Sequence, residues 1–184
     1  MENKVVYFED TGADNTGTTF SLVKERLKGS GMKKLVLAST TGATAQKAAR
    51  FFADDGVKLI VVPHQHGFKR DVNPFPPELA RELEGMGHEV HFGTMLFHTD
   101  EFYGSTRAAL MANLLRCIAQ GVKVCVEIVL MAADAGLVSH REQVIAVAGT
   151  GRVSDTALVM QAASTQHWKN LRINEILCKP LNQL

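Results

Sequence analysis

Three times along this chain an apolar run gives way to a loop rich in Gly, Ser and Thr, and then to a segment of helical composition. The runs are Val5 to Phe8, Leu35 to Ala38 and Val144 to Ala148, and the loops are Gly12 to Thr19, Ser39 to Thr44 and Gly149 to Thr156. Repeated strand–loop–helix units restrict a chain to α/β architectures with a largely parallel sheet. In a parallel sheet, the carboxyl ends of the strands share one edge, where such folds bind ligands. A helix start offers unpaired N–H groups and the positive end of the helix dipole. Glycine lets backbone approach a ligand, and hydroxyls add donors. Three such loops on one edge point to a small molecule carrying a phosphate. The competing reading is that they are ordinary turns and helix caps.

The rest of the pattern fits alternation. A first helix is expected from Asn15 or Thr16 to Lys28, with Phe20, Val23 and Leu27 on one face. Lys34 to Ala38 reads as a strand and Gly42 to Asp55 as a helix. Val57 to Val62 is nearly all apolar, as in a strand covered on both faces. Pro63 to Pro74 is irregular, and Pro76 and Pro77 open a helix that ends near Gly87. His88 to Phe92 alternates as a strand, Gly93 to Gly104 is a loop, and Ser105 or Thr106 caps a helix to Ala119. From Gly121 the pattern is divided. Val122, Val124, Val126 and Ile128 alternate like a strand, whereas Glu127 to Ala135 is helical in composition. Val144 to Ala148 is then a strand, Ser154 to Ala163 a helix and Arg172 to Cys178 a final strand. No repeat or linker divides the 184 residues, so one domain is expected.

A formal charge of +1 argues against nucleic acid or a membrane surface as partner. No apolar stretch approaches the roughly 18 residues of a membrane span. The polar start, Met1 to Lys4, leads straight into a strand, so no signal peptide is expected. Cys117, Cys125 and Cys178 read as buried thiols, and a cytoplasmic location follows.

The first loop has the G-x-x-x-x-G spacing of a P-loop but lacks its lysine. Gly149, Thr150 and Gly151 with Ser154 approach a dinucleotide fingerprint, but the only acidic candidate downstream is Glu175, inside the last strand. A phosphate or ribityl contact there stays open. His64 and His66 have no cysteine or acidic partner at a ligand spacing, and His88, His91 and His98 are dispersed, so no metal is expected. Glu127 and Asp134, seven residues apart with Met131 between them, share a helix face. They are either an acid–base pair or a polar face. No G-x-S-x-G elbow occurs.

Val36 to Ala45 (VLASTTGATA) resembles the strand, phosphate loop and helix of the pyruvate kinase C-terminal domain. The whole chain is similar to a family of small stand-alone prokaryotic proteins with that fold. The matching stretches are Asn15-Thr16, STTGATA from Ser39, His66-Gly67-Phe68, VEIVLMAADAG from Val126 and VIAVAGTGRVSDTA from Val144. The resemblance implies a three-layer α/β/α fold, with a mixed, mostly parallel sheet and an antiparallel last strand at an edge. It implies occupancy by flavin mononucleotide (FMN) and no kinase active site. The phosphate would sit at Ser39, Thr40, Thr41, Gly42, Ala43 and Thr44. The ribityl chain would meet Asn15, Thr16, Asp155 or Thr156, and the ring would lie against Phe68 or Met131. Asp155 would otherwise cap the helix that follows it. The alternatives are a regulatory module for a phosphorylated metabolite, or a phosphosugar enzyme using the histidines with Glu127 and Asp134. A homo-oligomer pairing through an apolar helix is also expected. A carboxylate placed at Gly42 should abolish anion binding and leave the fold intact.

Overall fold

The computed structural model describes residues 4–11 and 14–182. Seven strands form one sheet: β1 (Val6–Phe8), β2 (Lys34–Ala38), β3 (Lys58–Val62), β4 (Glu89–Val90), β5 (Gln143–Ala148), β6 (Thr156–Gln161) and β7 (Arg172–Pro180). Their spatial order is β1-β7-β6-β5-β2-β3-β4. The pairings of β1 with β7, of β5 with β2, of β2 with β3 and of β3 with β4 are all parallel. Only the two pairings of β6, with β5 and with β7, are antiparallel. The sheet is therefore mixed and mostly parallel. The last strand does pair antiparallel to its neighbour, but β1 rather than β7 takes that edge.

Six α-helices occur among the described residues: α1 (Thr16–Leu27), α2 (Ala43–Phe51), α3 (Pro77–Gly85), α4 (Asp100–Tyr103), α5 (Arg107–Arg116) and α6 (Gln120–Asp134). Side chains alternate along each strand, which splits the interior in two. Leu35, Leu37, Leu59, Val61, Ile145 and Val147 pack with Phe20 and Val23 of α1, Ala45 and Ala48 of α2, and Leu79 and Leu83 of α3. Val36, Ile60, Val144, Ala146, Leu158 and Met160 pack under α6 and Ala112 of α5. Three α/β/α layers result, as expected.

The divided pattern from Gly121 resolves as helix, and other expectations change. Gln120 to Asp134 is one continuous helix, with residues 121–123 and 125–132 all buried. A helix enclosed on nearly every side loses its apolar stripe, so a chance alternation at Val122, Val124 and Val126 mimics a strand. Each of its buried Val, Ile or Leu side chains contributes about 1.5–3 kcal/mol. In the other direction, the segment expected as a helix from Ser154 forms strand β6 and a short connection. Thr156 to Met160 are all buried in the middle of the sheet. A short apolar run covered on both faces has no distinguishing period. The expected loop Gly93 to Gly104 contains a 3-10 turn at Leu96–His98 and then α4. Cys125 and Cys178 are buried as expected, whereas Cys117 is exposed. Among the described residues, no helix is long and apolar enough to cross a membrane.

Candidate functional site

The chain leaves β2 toward β3 and β4 on one side, and leaves β5 toward β6 and β7 on the other. Adjacent strands whose connections diverge in this way leave a crevice at their carboxyl ends. Ser39 to Thr44 leaves the carboxyl end of β2 and is tied on its other side to β3. The Ser39 backbone N–H donates to the Val62 carbonyl at 3.3 Å, and the buried Ser39 Oγ accepts from the Ala45 N–H at 3.2 Å. That side chain caps α2 from inside the turn. Gly42, at φ 87°, makes the left-handed step that starts the helix. Among the described residues, the N–H groups of Thr41, Gly42, Ala43 and Thr44 donate to no protein acceptor. This turn can receive an anion without displacing a protein contact.

Beside it, the carboxyl end of β3 delivers His64. Thr40 Oγ1 lies 3.3 Å from His64 Nε2. The Phe68 ring stands edge-on between His64, at 4.8 Å, and His98, at 5.0 Å. His98 Nε2 is 3.1 Å from Lys123 Nζ. Lys123 donates to Glu127 Oε2 at 2.5 Å, and Glu127 Oε1 accepts from the Phe97 N–H at 2.8 Å. Lys123 and Glu127 are 1% and 2% exposed, so this is an ion pair almost fully removed from water. The Gln65 side chain accepts from the Met95 N–H at 2.7 Å and ties the same two loops together.

Burial pushes the His64 and His98 imidazoles below the ordinary histidine value, and the Lys123 charge adds to the effect at both. Both rings are therefore neutral near pH 7 and can donate from one nitrogen while accepting at the other. Burial also lowers Lys123, against the opposing pull of Glu127. Sequence reading missed Lys123 altogether and took His98 as dispersed. The available sign was a Lys and a Glu four residues apart within the otherwise apolar run from Val122 to Leu130.

Other expected site residues are placed apart from this group or are already engaged. His66 is exposed and packs on Phe92, with ring centroids 4.9 Å apart, and Gly67 forms a left-handed turn beside it. Met131 is buried in the core beneath α6. Asp134 accepts from the Thr165 N–H at 2.8 Å, so it forms no carboxylate pair with Glu127. Glu175, the acidic candidate for a dinucleotide ribose, is held by Arg26 at 2.8 and 2.6 Å. Of the first loop, Gly12 and Ala13 lie outside the described residues. Asn15 donates to the Asp10 carbonyl at 3.1 Å, and Thr16 Oγ1 accepts from the Ser154 N–H at 3.1 Å.

The third loop is not a strand-to-helix turn. Gly149 to Asp155 is the connection of the antiparallel pair β5–β6. A Cβ on Gly149 would collide with the Val153 carbonyl oxygen, so this glycine serves a close approach of backbone. Asp155 has no helix to cap. It is fully buried, and its oxygens accept from the Thr150 N–H at 3.1 Å and from Thr156 Oγ1 at 2.7 Å. Burial raises its pKa, against the pull of these bonds. Asp155→Ala is expected to lower stability by about 1–3 kcal/mol by leaving those donors unpaired. Ligand affinity should be nearly unchanged. Denaturant unfolding and titration of the one variant check both parts, and a tenfold loss of affinity at unaltered stability would restore the ligand role.

No family model matches the chain. Its structure is similar to part of a crystal structure of a pyruvate kinase from Cryptosporidium parvum, with TM-score 0.45, 16% identity and coverage of 82% of this chain and 23% of that one. A structure of the Cryptosporidium parvum enzyme in complex with ADP gives TM-score 0.44, again at 16% identity, covering 85% of this chain and 25% of that one. The chain thus spans about a quarter of the length of the proteins it matches. The expected likeness to pyruvate kinase is met at this level, which concerns fold and says nothing of what the chain binds.

The donor set can be tested against FMN residue by residue. Four amides at a helix start, with no acceptor among the described residues, suit its phosphate. Glu127, Met131, Asp155 and Thr156 are buried, and the three polar ones are engaged within the protein. Among the described residues, the half-exposed Phe68 stands beside the turn with His64 and His98 for the rest of the molecule.

Proposed function

We propose that this chain binds a phosphate-bearing small molecule at the carboxyl edge of β2 and β3, with FMN as the first candidate. One observation carries the reading: among the described residues, the N–H groups of Thr41 to Thr44 at the start of α2 donate to no protein acceptor, and the adjoining Thr40 holds His64 at 3.3 Å. The phosphate would lie on those amides and on the Thr40, Thr41 and Thr44 hydroxyls. A flavin ring would lie against Phe68, and His64 and His98 would supply hydrogen bonds to polar groups beyond the phosphate. FMN supplies reversible one- or two-electron chemistry when bound; the residues named here bind and orient. A regulatory module and a phosphosugar enzyme would use the same turn and differ in what the two histidines do.

The test is titration with FMN and with riboflavin, which lacks the phosphate, followed by visible absorbance and fluorescence. Each charge-assisted contact contributes about 1.5–3 kcal/mol. FMN should therefore bind at least about tenfold more tightly than riboflavin. Ala43 is exposed at the helix start, so Ala43→Asp sets a carboxylate at the anion position without disturbing the core. It should weaken FMN by about 10–150-fold at unchanged far-UV circular dichroism. Equal affinity for the two flavins, or an unaffected Ala43→Asp variant, would refute the phosphate site.

A further inference from the structure

Helix α5 is built inside out. Toward the core it presents Ala112 and, partly buried, Leu115. Toward solvent it presents Leu110, 71% exposed, Met111, 50% exposed, and Leu114, 71% exposed. At 3.6 residues per turn these three fall within about 100° of the helix circumference. Ile118, exposed just past the end of the helix, continues the row, and Cys117 is exposed beside it. The adjoining α4 adds Phe102 and Tyr103, which are 84% and 71% exposed, with ring centroids 4.9 Å apart. Aromatic side chains contribute ~150–250 Å² each, so this apolar surface is on the order of 700 Å². The largest apolar patch of an ordinary monomer is about 300–600 Å².

We infer that the outward face of α5, with the tip of α4, is where a second copy of this chain docks. The area decides the occupant's size. About 800 Å² per partner is what a standard interface between folded proteins buries. A short peptide lying along one helix could not cover both the α5 row and the α4 aromatics. The border decides its character. Asp100 and Glu101 on α4, and Arg107 and Arg116 at the two ends of α5, edge the patch with both signs. A copy related by a two-fold axis therefore meets no excess of like charge, and the same row faces itself. A partner of opposite charge would call for a border of a single sign.

The experiment is sedimentation velocity of the full chain from about 1 to 100 μM, concentrations that bracket a micromolar Kd, beside a Leu110→Lys, Leu114→Lys variant. Both side chains are in solvent, so the variant should keep the parent's circular dichroism. The parent is expected to sediment as a dimer and the variant as a monomer over the whole range, a weakening of at least 100-fold. If the variant has lost its fold, Phe102→Ser with Tyr103→Ser takes its place, since α4 contributes no buried side chain. A parent that is monomeric at 100 μM overturns the inference and leaves the patch to a different chain. A dimer that survives the folded variants also overturns it, and moves the contact elsewhere on the surface.

Discussion

Glu127→Leu is expected to cost about 3–5 kcal/mol of stability, because it strands the Lys123 ammonium inside the protein. Lys123 would keep His98 Nε2 and the face of the Phe97 ring, and the Phe97 N–H would lose its acceptor. The double variant Lys123→Met, Glu127→Leu removes both charges and should recover most of the loss, since a buried ion pair and an apolar pair of similar size differ little in stability. Denaturant unfolding of the parent, of Glu127→Leu, of Lys123→Met and of the double variant completes the cycle. A single variant within about 1 kcal/mol of the parent would mean that water reaches the pair. The pH dependence has a definite sign. The folded-state pKa of Lys123 lies below its unfolded value. Between the two values the unfolded chain binds more protons, so stability rises with pH through that window. Without Glu127 the window extends further down, and the variant should regain more stability on alkalinisation than the parent does.

Gly42→Asp is expected to lose about 2–6 kcal/mol, and so cannot serve as a clean probe of the anion site. The left-handed φ of 87° costs a residue with a Cβ about 1–3 kcal/mol. That Cβ would also collide with Leu79 Cδ2, displacing a buried leucine of α3 at a further cost of about 1–3 kcal/mol. The sequence shows the glycine but not what packs against it, so this cost is visible only in the folded chain. Thermal unfolding of Gly42→Ala isolates the effect from the charge. A Tm lowered by less than a degree would show that α3 can move aside.

How much was legible follows from which signals are local. The Ser39 to Thr44 turn was readable because strand, turn residues and helix start follow one another within about ten residues. Pro77 announced α3 for the same reason. The direction of β6 was not readable. Its residues are buried on both faces, so hydrophobicity carries no period, and only the hydrogen bonds to β5 and β7 define it. Asp155 misled in consequence, since an aspartate before an apolar run signals a helix cap or a strand-end turn equally well. The group around His98 was hidden for a different reason. His64, His98 and Lys123 come from a β3 loop, a 3-10 turn and α6, and only the folded chain sets them beside one another. An alternation of three valines and an isoleucine likewise could not reveal that α6 is enclosed by its neighbours.

The parallel pairing of β1 with β7 has a bearing on synthesis. Val6 to Phe8 lie opposite Cys178 to Pro180, and the Leu181 N–H closes the edge on the Phe8 carbonyl at 2.8 Å. In a chain made from its amino end, β1 gains this neighbour only when β7 emerges. At roughly 5–20 residues per second on the ribosome, that wait is on the order of ten seconds. The β2–β3 unit can pair during that time, while β1 remains an apolar segment with open backbone groups, the kind of surface that chaperones hold.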